Sequence, residues 1–327
     1  MIVLLAAIAL AAPKPGELKT FKDWVAGCDN GLTCQADGLL PETDYEAATI
    51  AVKRGGEAGA VPEIWFRLPD GKAADVLVDG RPMHLRLTPQ GDSSEVAPAD
   101  SLRFATSLAT ARKVMIVDSA GKAIAPISAE GAAAALLSID DMQRRVGTVT
   151  ALVRKGGAPA SSIPAPPQLP AVHSAAGSNR PPVKLSAAAV RKIRGEDACD
   201  DLSREEEVEY DRLDDASTLA LIPETCASGA YNFAFVAMFV GNDGKFRSAE
   251  FDDDSLGGDG TFNAEWDPKT RTLETGMKGR GLGDCGEWST YAWDGERFRL
   301  IELKLMGDCR GSIDFITVWR AKAVERR

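Results

Sequence analysis

Six cysteines are the residues whose number and spacing most clearly indicate chemistry in this chain: Cys28, Cys34, Cys199, Cys226, Cys285 and Cys309. They form three sequence-local couples, and we expect each couple to pair, although six cysteines allow fifteen pairings. A zinc site needs four close Cys or His ligands. The chain has no C-x-x-C and no histidine beside a cysteine. The pattern therefore predicts three disulfides in an oxidising compartment.

The last couple encloses a β-hairpin pattern, GDCGEWSTYAWDGERFRLIELKLMGDC. Asp294-Gly295 favours a two-residue type I′ turn between two alternating segments. That register places Tyr291 opposite Phe298, and it places Cys285 opposite Lys304. The chain must then turn back at residues 306–308 before the two sulfur atoms can meet.

An acidic segment provides a first candidate binding surface. Residues 196–215 carry eleven carboxylates against two arginines, which accounts for nearly all of the net charge of −10. Glu205, Glu206 and Glu207 are the predicted binding residues, for a cationic partner. The alternative is a solvated acidic surface.

A second acidic stretch, residues 250–260, is a candidate calcium site. Asp252, Asp254 and Asp259 offer the oxygen ligands that calcium requires. The EF-hand pattern fails, because Leu256 stands at a ligand position and no glutamate follows at the right distance. A solvated turn is the alternative, and the sequence indicates no other cofactor.

Aromatic residues crowd the C-terminal segment and provide a third candidate surface. Trp288 and Trp293 would suit a glycan or a protein partner if they lay on one exposed face. The alternative is that they belong to the core, as aromatic residues of alternating strands usually do.

No active-site pattern occurs in the chain. It has two histidines, of which only His84 lies in a predicted folded region, and it has no G-x-S-x-G, H-E-x-x-H, P-loop or dinucleotide motif. Paired carboxylates for glycoside cleavage are defined by their separation in space, not in sequence. We therefore predict no catalytic residue. The acidic balance also argues against a nucleic-acid partner, which requires a basic face.

The elements that would position these residues divide into two β-rich domains. Residues 1–11 end in Ala-Leu-Ala and predict a signal peptide; no later run is long and apolar enough for a membrane helix. Residues 12–154 predict a β-rich domain with two helices, and residues 184–327 predict a β-meander. Residues 155–183 hold seven of the eighteen prolines and predict an extended linker. The expected class is mainly β with some helix (α+β), with antiparallel sheets.

Three helices are expected within this framework. The first should be capped by Asp100, and the second should run from a cap at Ser128 to about Gly147. A strand, TVTALVR, should follow the second helix. A short third helix should begin after Ser186.

Four stretches together resemble the DUF1176 family: FKDWVAGCDNGLTC, GAAAALLSIDDMQRRVGTVTAL, CASGAYNF and GRGLGDCGEWSTYAWDGERFRL. The resemblance covers nearly the whole mature chain. It implies an exported bacterial protein, periplasmic or secreted, without catalytic residues to transfer. The start, DWVAGCD, is also similar to invasion-associated locus B proteins, over the first domain only.

Three hypotheses for function follow. The first is a non-enzymatic, disulfide-stabilised binding protein whose partner is a protein or a cell-envelope component, a cationic one included. The second is a cell-wall or glycan hydrolase using carboxylates, which predicts a cleft with two acids and an exposed aromatic residue. The third is a structural envelope component, which predicts self-association.

Overall fold

The computed structural model describes residues 12–42, 47–69, 71–195, 207–224, 226–252 and 261–326; the predicted signal peptide lies outside them. The first half contains two sheets and two helices. Its elements are β1 (Lys19–Phe21), β2 (Trp24–Cys28), β3 (Cys34–Gly38), β4 (Thr49–Arg54), β5 (Glu63–Arg67), β6 (Asp75–Val78), β7 (Arg81–Pro82), β8 (Leu87–Gln90), β9 (Ser93–Val96), α1 (Pro98–Leu108), β10 (Val114–Val117), β11 (Ala123–Ile127) and α2 (Ala132–Met142).

The second half is built almost entirely of strands. Its elements are β12 (Ala171–Ser174), α3 (Ala187–Arg194), β13 (Glu209–Arg212), β14 (Ser217–Glu224), β15 (Ala234–Gly241), β16 (Phe246–Ser248), β17 (Thr261–Phe262), β18 (Glu265–Asp267), β19 (Thr272–Lys278), β20 (Gly286–Trp293), β21 (Phe298–Met306), β22 (Ile316–Arg320) and β23 (Lys322–Glu325).

The described strands form antiparallel sheets, apart from one parallel pair of strands. The first half has a seven-stranded sheet in the order β1-β2-β3-β4-β5-β9-β8 and a four-stranded sheet in the order β11-β10-β6-β7. The second half has the sheets β13-β14-β15-β16, with β17 beside β15, and β18-β19-β20-β21-β22. The parallel pair is β12 with β23. The predicted class, mainly β with some helix, is confirmed.

The seven-stranded sheet is buried on both faces at β2 and β3, because successive side chains of a strand point to opposite sides. Trp24 faces a core built with α1, α2 and the four-stranded sheet. Its neighbour Val25 and, just past β3, Leu39 belong to a second core, with Trp293 of β20 and Ile316 of β22. The second core is therefore built by residues from both halves of the chain.

The proline-rich segment is packed along part of its length. Val172 in β12 is buried, and so is Ile163, which follows a 3-10 turn at Ala160–Ser162. β12 pairs with β23 near the C-terminus. The division into two domains at residues 12–154 and 184–327 stays a prediction.

The starts of two helices were predicted wrongly. α1 begins at Pro98, a favoured first helical residue, and Asp100 accepts hydrogen bonds from the backbone and side chain of Arg86 instead of capping. α2 begins after Gly131, whose φ of 103° and close approach to Phe21 O require glycine. Ser128 instead donates to Asp23 at 2.5 Å.

The end of α2 and the segment after it also differ from expectation. α2 ends at Met142, and Arg144 nearby has a left-handed φ of 56°. Residues 148–154 form turns, not a strand, because Asp140 accepts the backbone amides of Leu152 and Val153 at 2.7 and 3.0 Å. The third helix begins after Ser186, whose hydroxyl accepts from Ala189 N, as predicted.

The predicted register of the β20–β21 hairpin is wrong. Trp293 pairs with Phe298 across a four-residue loop, because the Asp294 carboxylate accepts the amides of residues 296 and 297. A bulge follows at Thr290/Tyr291. Gly286 consequently pairs with Met306, where the predicted register has Leu303. This shift of three residues brings Cys285 nearer to Cys309. The chain bends at Asp308, and the Cα atoms of the two cysteines lie 4.7 Å apart.

Candidate functional site

Two of the three predicted disulfides are present between described cysteines. They join Cys28 to Cys34, which are paired across β2 and β3, and Cys285 to Cys309. Cys226 is also disulfide-bonded. Its predicted partner, Cys199, lies outside the described residues.

The two predicted aromatic binding residues are packed within the second half. Trp293 is 1% exposed, and its indole N–H donates to Asp214 at 2.7 Å. Trp288 is partly buried, and its ring lies over Gly276, where a Cβ atom would approach it to 2.2 Å. These contacts leave no shared exposed face for the two rings.

Most residues of the two predicted acidic sites lie outside the described residues: Glu205, Glu206, Asp254 and Asp259. Glu207 is exposed. Asp252 is engaged by a cation of the chain itself, since its carboxylate accepts from Arg299 at 2.7 Å. Across the described ranges, no three His, Cys, Asp or Glu residues are grouped so as to hold a metal ion.

A loop of the second half, residues 307–315, holds the two halves together; we call it the clasp. Arg310 donates to the carboxylate of Asp23 at 2.5 Å and to the carbonyl of Leu40 at 2.8 Å. Leu40 N donates in return to Arg310 O at 2.9 Å. Gly311, at φ +84°, lies so close to Leu40 that a Cβ atom would clash at 2.5 Å. The Cys285–Cys309 disulfide anchors the clasp to the residue before β20, because Cys309 belongs to the clasp.

The clasp also delivers Asp314 to Arg67 on β5. The guanidinium makes two parallel hydrogen bonds to this carboxylate, at 3.0 and 2.8 Å, the strong bidentate geometry. Arg67 contacts Asp92 as well. The Asp314 hydrogen bond, more than any other contact, raises the pKa of Arg67, so the guanidinium stays charged.

Asp37 of β3 is enclosed beneath the clasp and is fully buried. Gln35 donates one amide to both oxygens of Asp37, at 3.0 and 3.2 Å, and to the backbone carbonyl of Asp314 at 2.9 Å. The hydroxyl of Ser312 lies 3.4 Å from Asp37. Burial, aided by the charge of Asp314, raises the pKa of Asp37 well above its usual range.

This raised pKa predicts how stability depends on pH. Above the ordinary Asp pKa of about 3.9, the unfolded chain loses a proton that folded Asp37 retains, so the free energy of unfolding falls as pH rises. The slope is about 1.4 kcal/mol per pH unit until the folded pKa is passed. Asp37→Asn removes this contribution. The free energy of unfolding, measured with urea from pH 4 to 8, should therefore rise in the variant relative to the wild type as pH increases. A difference between the two proteins that stays constant over this pH range would contradict this assignment.

Beside the Arg67–Asp314 pair lies a groove of about 560 Å³, which we call the junction groove. Its floor is one face of β5 and β9. Glu63, Trp65 and Arg67 alternate along β5, and Trp65 pairs directly with Glu95 of β9. Asp314 of the clasp closes one side and Val61 lies on the rim. Both glutamates are exposed, Trp65 is half-buried, and neither histidine of the chain lines the groove.

A second polar cluster lies wholly inside the first half. Arg54 and Arg145 are both buried. Among the described residues, Asp140 of α2 is the one buried carboxylate beside them, 3.9 Å from Arg54. Burial and the charge of Arg145 lower the pKa of Arg54 to about 10. Arg145 donates to the carbonyls of residues 55, 57 and 58, and Gln143 donates to those of 32, 54 and 55. This cluster ties loops to α2 and presents no accessible group.

The sequence offered few signals for the junction groove. Successive side chains of a strand point to opposite sides, so β5 puts Glu63 and Trp65 on one face. That Glu95 and Asp314 join them depends on pairing between β5 and β9 and on the clasp, which connect residues far apart in the chain. No local pattern marks either contact.

Within the described part of the chain, no helix has the length and apolar character needed to cross a membrane.

Comparison with known proteins gives one family over nearly the whole chain. The family model described as "Protein of unknown function (DUF1176)" matches residues 18–322. The chain is also 30% identical, over an alignment of 346 residues covering 92% of each sequence, to the protein named "Uncharacterized protein YpfG" of Escherichia coli (strain K12). No solved structure matches. Four stretches suggested the same family, and the chain belongs to the DUF1176 family of proteins of unknown function.

Proposed function

We propose that this chain is an exported binding protein of the bacterial envelope or medium, and that the junction groove is its binding surface. The observation that carries the proposal is the groove itself, where an aromatic ring and two exposed glutamates converge beside a contact between the halves. Ligand sites occur preferentially as concave surfaces with a few convergent polar groups.

Export is supported by the disulfides, which persist in oxidising compartments. The expected result is that residues 1–16, fused to a reporter enzyme active only after export, direct the reporter to the periplasm. Replacing Leu4 and Leu5 by aspartate should abolish that activity, because an apolar run is required for export. A reporter that stays in the cytoplasm with the natural leader would refute export.

Binding at the groove is tested with the oxidised mature protein as bait for envelope proteins. Ser93→Trp fills the groove, since Ser93 lies on its floor. Thr110→Trp adds the same ring at an exposed position after α1 and is the matched control. The proposal predicts a partner that the wild type and Thr110→Trp retain and Ser93→Trp loses. The same set of proteins on all three baits would remove the groove as the binding surface.

A carboxylate hydrolase is the second candidate, because the groove holds the two acids and the aromatic residue that this hypothesis requires. A hydrolase also needs a general acid that remains protonated at the working pH. Beneath the clasp, Asp37 has a raised pKa but is enclosed, so it cannot reach a substrate in the groove, and this favours binding over catalysis. Release of sugars from cell-wall material, abolished by Glu63→Gln or Glu95→Gln, would reverse that preference.

A further inference from the structure

We propose that the junction groove binds a peptide segment with an arginine or lysine side chain, which lies over Trp65 between Glu63 and Glu95. This inference rests on the proposed function and specifies the chemistry of the ligand.

The geometry of the strands places the three groups together. Trp65 and Glu95 are directly paired across β5 and β9, so their side chains share a face. Glu63 is two residues before Trp65 and points to that same face. Neighbours in this arrangement lie about 5–8 Å apart, a spacing that one guanidinium or ammonium group can span.

The charges of the groove favour a cation. Among the described residues, neither Glu63 nor Glu95 has a counter-ion within ion-pair distance, although Lys53 is the cross-strand neighbour of Glu63. Arg67, by contrast, is fully engaged by Asp314 and Asp92. The net charge of −10 adds long-range attraction for a cationic ligand.

The aromatic and apolar surroundings favour a side chain with a long stem over a free metal ion. A cation over an indole ring gains a cation–π interaction, strongest for tryptophan. Val61 on the rim is 48% exposed, and Pro62 and Pro98 also line the groove. Such surfaces pack well against the methylene stems of lysine and arginine. A metal ion has no apolar part that could pack against them.

The test uses a fluorescent peptide of alternating arginine and glycine, and measures its anisotropy with the oxidised full chain at fixed ionic strength. Glu63→Gln/Glu95→Gln should weaken binding about tenfold, from two lost charge contacts of severalfold each. Glu265→Gln/Glu274→Gln removes the same two charges from an exposed glutamate pair on β18 and β19, outside the groove, and should change the affinity less than about twofold. Near-UV circular dichroism verifies that both variants are folded.

Each other outcome contradicts the inference. Equal losses in the two variants would show general attraction to an acidic protein. No binding of the peptide, with Ser93→Trp still losing an envelope partner, would leave the proposed function standing and remove the cationic ligand. Binding of a chito-oligosaccharide that depends on Trp65 but not on the two glutamates would assign the groove to a glycan.

Discussion

Replacement of Asp140 by alanine is expected to lower the free energy of unfolding by about 3–5 kcal/mol, the usual cost of removing one partner from a buried ionic cluster. Arg54 and Arg145 would then face each other inside the first core with no buried carboxylate beside them. The amides of residues 152 and 153 would lose their acceptor as well.

Urea unfolding of the oxidised protein measures this effect. Asp141→Ala is the matched control, because Asp141 is the exposed neighbour on α2 and its loss should cost less than about 0.5 kcal/mol. Asp140→Asn keeps an acceptor oxygen, so it should fold and lose less stability than the alanine variant. Equal stability of the Asp140 and Asp141 variants would show that the cluster is not essential to the core.

The double variant Cys285→Ser/Cys309→Ser is expected to lose about 3.5 kcal/mol, the loop-closure estimate for a bond that spans 24 residues. The loss should exceed that of Cys28→Ser/Cys34→Ser, for which the shorter loop predicts about 2 kcal/mol.

The positions of the two disulfides in the fold also predict a difference in the cooperativity of unfolding. Cys28–Cys34 closes a turn between adjacent strands that are already paired. Cys285–Cys309 instead anchors the clasp, which carries Arg310, Ser312 and Asp314 to the first half. Denaturant-induced unfolding should therefore become less cooperative in Cys285→Ser/Cys309→Ser and stay cooperative in Cys28→Ser/Cys34→Ser. A larger loss from the Cys28–Cys34 pair would contradict the role assigned to the clasp.

Local features of the fold could be predicted from the sequence, because strand alternation and helix capping act over a few residues. The mainly β class with some helix was expected, as was the Ser186 cap. The errors arose where a side-chain carboxylate takes backbone amides and so overrides the preference read from the pattern of residue types. Asp140 takes the amides that a strand at residues 148–154 would use, and the Asp294 carboxylate enlarges the hairpin turn.

The candidate site could be predicted even less well. Reasoning from residue type led to Trp288 and Trp293, the most crowded aromatic region, and to the most acidic segments. Trp293 is a core residue, and Asp252 is paired with Arg299. Trp65 was not predicted as a binding residue, because a single tryptophan in a strand becomes part of a groove only through the strand and loop beside it.

Amide hydrogen exchange at Leu40 and Gly311 tests most directly whether the disulfide-closed clasp joins the two halves. Leu40 N donates to Arg310 O, and Gly311 N donates to the Asp284 carboxylate at 2.7 Å. We expect both amides to be protected in the oxidised wild type and to exchange much faster in Cys285→Ser/Cys309→Ser, while the amides of α2 are unchanged. Unprotected Leu40 and Gly311 amides in the oxidised protein, or protection unaffected by the loss of the disulfide, would contradict the clasp.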